Sequence, residues 1–167
     1  MEKNIVLIGF MGTGKTTISH KLHSLTGMEE IDLDAYIVEK TGMQIKEIFE
    51  RQGENYFRDV ETESLKEVSE RTGVIISCGG GTVIRDENVA CMKRKGKVIL
   101  LTASPQTVYE RVKDSDQRPV LNGHMDAAYI AGLMEKRRAL YLRAADVIIS
   151  TDKKSEEDIC REILGHI

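Results

Sequence analysis

Gly9-Phe-Met-Gly-Thr-Gly14-Lys15-Thr16 fills every fixed position of the pattern G-x-x-x-x-G-K-[ST]. It lies between a short apolar run, Ile5 to Ile8, and a stretch from Lys15 to Leu25 in which Ile18, Leu22 and Leu25 recur at helical spacing. The order is therefore buried strand, glycine-rich loop, helix. Glycines let such a loop curl so that its N–H groups face a phosphate chain, the helix start adds the positive end of its dipole, and Lys15 reaches the outer phosphates. Gly12, Thr13, Gly14, Lys15, Thr16 and Thr17 are accordingly the expected nucleotide contacts, with Thr16 placed for Mg²⁺ and Thr17 for the α-phosphate. A guanine-reading N-K-x-D motif is missing, since the last apolar run continues Val147-Ile-Ile-Ser-Thr-Asp152-Lys153-Lys154. The expected nucleotide is ATP.

The same unit recurs along the chain. Val74 to Ile76 precedes Gly79-Gly80-Gly81, Val98 to Leu101 precedes a helix starting at Ser104-Pro105, and Val147 to Ile149 precedes a final helix from about Ser155. Each of these runs reads as a strand buried on both faces. Such strands alternating with helices predict parallel pairing and a three-layer α/β/α domain with the ligand site at the strands' carboxyl ends. Gln44 to Arg71 is polar and rich in Glu, and reads as two helices broken near Gly53. It supplies most of an acceptor-binding insertion at about 33–61. Lys113 to Gly123, with Arg118-Pro119 and Asn122-Gly123, reads as a mobile lid. No repeat or linker divides the 167 residues, so 1–167 is expected to be a single kinase domain.

A net charge of −3 argues against a general nucleic-acid binder, so any phosphate site has to be local. Cys78, Cys91 and Cys160 are an odd number without C-x-x-C spacing, which suggests neither a disulfide framework nor zinc and points to a reducing compartment. The apolar run at the start is too short for a signal peptide core or a membrane span, and a cytoplasmic protein is expected. A monomer is the default. His20 and His23 lie three apart on a helix but have no third ligand placed beside them, and read as a solvated face.

On the acceptor side, Asp32-Leu33-Asp34 follows the short run Glu29-Glu30-Ile31 and precedes helical spacing at Tyr36, Ile37 and Val38. At a strand-to-helix turn, residues two apart diverge. One aspartate can then face Mg²⁺ while the other faces an acceptor hydroxyl; the bland alternative is a helix cap. Arg58 and Glu61, three apart, allow the carboxylate to hold the guanidinium ready for an anion, although this spacing also describes an ordinary surface pair. Gly79-Gly80-Gly81 leaves bare backbone that a ligand can approach.

Taken in order, Gly9 to Thr16, Asp32-x-Asp34, Phe57-Arg58-x-x-Glu61, Gly79-Gly80-Gly81, Arg118-Pro119-Val-Leu121 and Arg137-x-x-x-Tyr141 resemble the shikimate kinase family over nearly the whole chain. The resemblance implies the five-stranded parallel sheet of the nucleoside monophosphate kinase group. It also implies ATP-dependent phosphorylation of shikimate to shikimate 3-phosphate, a step of aromatic amino-acid synthesis. Carried over by position, Lys15, Asp34 and Arg118 would be catalytic. Asp34, Arg58, Gly79, Gly80, Gly81 and Arg137 would bind shikimate, Arg111 and Arg118 would contact the nucleotide, and Thr16 and Asp32 would serve Mg²⁺. Arg137 rather than the adjacent Arg138 is assigned by its distance from Tyr141. The lid reads Arg-Pro-Val-Leu where Arg-Pro-Leu-Leu is commoner, and Ala139 stands where proline is frequent. ATP and shikimate are the expected partners, with no nucleic acid and no membrane. The rivals are a gluconate kinase of the same fold, a nucleoside monophosphate kinase, and a nucleotide-binding regulatory module.

Overall fold

The structure is a computed structural model, and it describes residues 2–113 and 126–167. Five strands, β1 (Asn4–Ile8), β2 (Glu29–Asp32), β3 (Val74–Ser77), β4 (Gly96–Thr102) and β5 (Val147–Ser150), form one sheet in the order β2-β3-β1-β4-β5. All four pairings are parallel. The helices are α1 (Lys15–Thr26), α2 (Leu33–Thr41), α3 (Ile45–Gln52), α4 (Glu54–Ser69), α5 (Asp86–Lys95), α6 (Pro105–Val112), α7 (Ala127–Ala144) and α8 (Glu156–Leu164), with a 3-10 turn at Thr82–Ile84.

The strand period of two divides the core into two layers. Val6, Ile8, Val74, Ile76, Val98 and Leu100 face a cluster built with α2 to α7. Ile5, Leu7, Ile75, Ile99, Leu101 and Ile149 face the cluster with α1 and α8. This is the expected three-layer α/β/α fold with a five-stranded parallel sheet. The helix break falls at Gly53, between α3 and α4. Two expectations about burial need correction. Ile148 in β5, the edge strand beside β4, is 55% exposed, while the next residue, Ile149, is buried in the cluster with α1 and α8. Leu25, in the last turn of α1, is likewise 53% exposed, whereas the helix buries Ile18, Ser19 and Leu22.

Side-chain caps fix where several helices start. Asp32 accepts from the Ala35 N–H at 2.9 Å, Ser104 from Thr107 at 3.2 Å ahead of Pro105, Asp126 from Tyr129 at 2.7 Å, and Ser155 from Asp158 at 3.1 Å. Helix α1, like α3, α4 and α5, has no side-chain cap; its cap is Gly14, at φ +102°, which leaves its first amides directed at the space beyond β1. The lid expected at about 113–123 lies outside the described residues except for Lys113, as does Arg118. Among the described residues, no helix is long and apolar enough to cross a membrane.

Candidate active site

A cleft of about 410 Å³ opens at the carboxyl ends of β1, β2 and β3. Its wall includes Gly12, Gly14, Lys15, Thr16, Thr17, Asp32, Asp34, Cys78, Gly79, Gly80 and Arg111. Topology explains the convergence. The order β2-β3-β1 puts the loops after three neighbouring strands side by side, although they lie far apart in sequence.

On the loop side, Lys15 folds back over the turn, its Nζ donating to the carbonyls of Gly9 at 2.6 Å and Phe10 at 3.0 Å. Thr13 is buried, and its hydroxyl donates to the Phe10 carbonyl at 2.8 Å. That hydroxyl shapes the loop from within. Thr16 and Thr17 are exposed to the cleft. Arg111, on α6, donates to the Gly12 carbonyl at 2.9 Å and to Thr151 Oγ1 at 3.3 Å, so its guanidinium is tethered beside the loop.

Opposite the loop, the glycine triplet meets a different side chain at each residue. A β-carbon at Gly79 would lie 3.0 Å from Asp34 Oδ1, one at Gly80 3.1 Å from Arg137 Nη1, and one at Gly81 2.7 Å from Arg58 Nη1. Asp34, Arg137 and Arg58 come from α2, α7 and α4, and only a backbone without side chains admits all three so closely. Tyr141 donates to the Gly80 carbonyl at 2.6 Å, which holds the triplet against α7. Burial pushes the Tyr141 phenol up, with Arg137 opposing. Arg138 faces away, into an apolar cleft with Phe10, Met134 and Leu142.

The charges are arranged unequally. Burial, then the nearby carboxylates of Asp32 and Glu61, push the Asp34 carboxyl up to about 6, while Lys15 and Arg58 oppose the rise. Asp32 both ends β2 and caps α2, so the capping reading of this residue holds alongside its position in the cleft. Glu61 is 1% exposed and pairs with Arg58 Nη1 at 2.9 Å, which makes this a buried ion pair rather than a surface one. Burial also raises the Cys78 thiol, leaving it a protonated wall of the cleft. His20 and His23 lie on Glu30 and the Met28 carbonyl, away from this cleft. Tyr141's hold on Gly80 had no sequence signal beyond its spacing from Arg137. The burial of Glu61 had none.

Comparison with known proteins agrees with this geometry. The family model described as shikimate kinase matches residues 11–167. A shikimate kinase of Thermodesulfovibrio yellowstonii is 40% identical over 97% of this chain and 93% of its own length. One from Geobacter sulfurreducens is 42% identical over 96% of this chain and 88% of its own. Among solved structures, the shikimate kinase of Acinetobacter baumannii in complex with shikimate superposes with a TM-score of 0.92 at 33% identity, covering 99% of this chain and 93% of that one. The phosphate loop, the glycine triplet with its three partners and these matches lead to one conclusion: the chain belongs to the shikimate kinase family.

Proposed function

We propose that this protein transfers the γ-phosphoryl group of ATP to the 3-hydroxyl of shikimate, giving shikimate 3-phosphate and ADP, a step of aromatic amino-acid (chorismate) biosynthesis. One observation carries the reading. One carboxyl and two guanidinium groups each abut one glycine of the triplet, and Asp34, Gly79 and Gly80 line the same cleft as the phosphate-loop lysine. A ring bearing one carboxylate and several hydroxyls matches that set. Arg58 and Arg137 take the carboxylate by charge-assisted hydrogen bonds, and Asp34 accepts from the hydroxyl that attacks.

The chain's residues divide the work. The uncapped amides of α1 and the backbone of Gly12 to Gly14 receive the phosphates, and Thr17 lies at the α-phosphate. Lys15 exchanges its loop carbonyls for the β and γ oxygens, and Arg111 lies against the adenine. Arg118, assigned from sequence alone, adds charge at the transferring group. Asp34, its carboxyl pushed up to about 6, orients the 3-hydroxyl and takes its proton as the oxygen–phosphorus bond forms. The domain is a single kinase unit in which residues 33–61 hold the acceptor and 113–123 form the lid.

Magnesium fits the donor set. No group of three or more His, Cys, Asp or Glu able to cage a metal occurs among the described residues. A Thr16 hydroxyl and an Asp32 carboxylate share the cleft, and Asp32 uses only one oxygen to cap α2. A hard cation that keeps waters and binds through nucleotide phosphates needs no more than these two. When bound, it neutralises developing charge on the phosphate oxygens. The three cysteines are free and buried, in keeping with a reducing cytoplasm. We further propose a monomer.

Phosphorus NMR of a reaction with Mg-ATP and shikimate tests the proposal. It expects one new phosphomonoester whose proton coupling places it on the 3-position. ATP hydrolysis to inorganic phosphate with no ester would refute it.

A further inference from the structure

We propose that Thr82 and Asn88 are positioning residues for the acceptor's carboxylate, acting on it through Glu61 and Arg58; the inference rests on the proposed function. The four residues form a chain of contacts in which three are shut off from water and Arg58, with 12% of its side chain exposed, is the end left open. Asn88 Nδ2 donates to the Thr82 carbonyl at 2.9 Å, Thr82 Oγ1 donates to Glu61 Oε2 at 2.9 Å, and Arg58 Nη1 donates to Glu61 Oε1 at 2.9 Å. Thr82 is 0% exposed and Glu61 and Asn88 are each 1% exposed. Thr82 opens the 3-10 turn that directly follows the glycine triplet, so the residue that satisfies Glu61 is also covalently joined to the backbone Arg58 packs against.

The relay decides which edge of Arg58 is left for a ligand. A buried carboxylate needs donors on both oxygens. With the Thr82 hydroxyl on Oε2, Glu61 holds Arg58 through Nη1, and among the described residues Nη2 makes only a 3.5 Å contact with the largely exposed Glu54. That leaves Nη2 beside Gly81 and available to an anion. Without the hydroxyl, Oε2 would recruit a second nitrogen of the same guanidinium, since a two-pronged Arg–carboxylate pair is the favoured geometry. Arg58 would then turn from the acceptor toward Glu61. Asn88 fixes the turn from behind by holding the Thr82 carbonyl.

The test compares Thr82→Val, which keeps the shape and removes the hydroxyl, with Thr82→Ser, which keeps the hydroxyl. Steady-state kinetics should show shikimate KM raised about tenfold in Thr82→Val, the scale of one hydrogen bond to a charged group, with kcat and ATP KM changed by less than about threefold. Thr82→Ser should stay close to wild type. In a Glu61→Gln background, Thr82→Val should add nothing further. Should Thr82→Val fold poorly, Thr82→Ala removes the same hydroxyl without adding bulk and carries the same expectation. Shikimate KM within twofold of wild type, a parallel rise in ATP KM, or an undiminished effect without Glu61 would overturn the relay. A wild-type protein that does not turn over shikimate would instead overturn the proposed function.

Discussion

Replacing Asp34 by Asn should make the protein more stable at neutral pH while stopping turnover. The Asp34 carboxyl titrates at about 6 in the folded chain against 3.8 ordinarily, a gap equivalent to about 3 kcal/mol. Between pH 4 and 6 the unfolded chain has lost this proton while the native state keeps it. Native protein then binds more protons, so wild-type stability falls as pH rises through that window and is flat above it. Asn does not titrate. The stability difference between variant and wild type should therefore be smallest near pH 4, grow to about 2–3 kcal/mol by pH 7, and stay there. In a chain of this size that is roughly 5–10 °C in Tm. With no tryptophan in the chain, urea titrations followed by far-UV circular dichroism at several pH values, without nucleotide, give the comparison directly. Turnover of wild type should fall on the acid side of about pH 6, and the variant should lose kcat far more than ATP affinity. A stability difference that is flat with pH, or that favours wild type as pH rises, would refute the argument that burial and neighbouring carboxylates destabilise this anion.

Other outcomes follow from the same geometry. Arg137→Ala should raise shikimate KM tenfold or more, whereas Arg138→Ala, on the other side of α7, should leave it within about twofold; equal effects in steady-state kinetics would contradict the placement of Arg137 at Gly80. Gly81→Ala should weaken shikimate binding by at least tenfold with little change in ATP binding by calorimetry, because the added methyl would collide with the Arg58 guanidinium. Arg118→Ala should lower kcat and leave shikimate Kd nearly intact.

The parts legible in the sequence are those encoded by local pattern. Glycine spacing and the apolar run before it placed the phosphate loop, and the strand runs gave a parallel sheet whose ends differ from expectation by one or two residues. Edge effects were not legible: Val147-Ile-Ile reads like any central strand, and only the fold shows that β5 lies at the sheet's edge with Ile148 exposed. At the site, the residue types were visible but their partners were not. An Arg and a Glu three apart describe a surface pair as well as a buried one, and what buries Glu61 is the turn at Thr82, 21 residues away. Nor does a triplet of glycines say which side chains it admits. That depends on α2, α4 and α7 converging on the end of β3, a fact of topology.

The most direct test of the account is ADP release with Mg-ATP and shikimate, gluconate or AMP in turn, using Lys15→Ala as the blank. Release that depends on shikimate alone, and is lost in the blank, is the expected result. Release with gluconate or AMP would keep the phosphate loop and contradict the acceptor assignment, and binding of ATP without release for any acceptor would mean that the protein is not a kinase for any of the three.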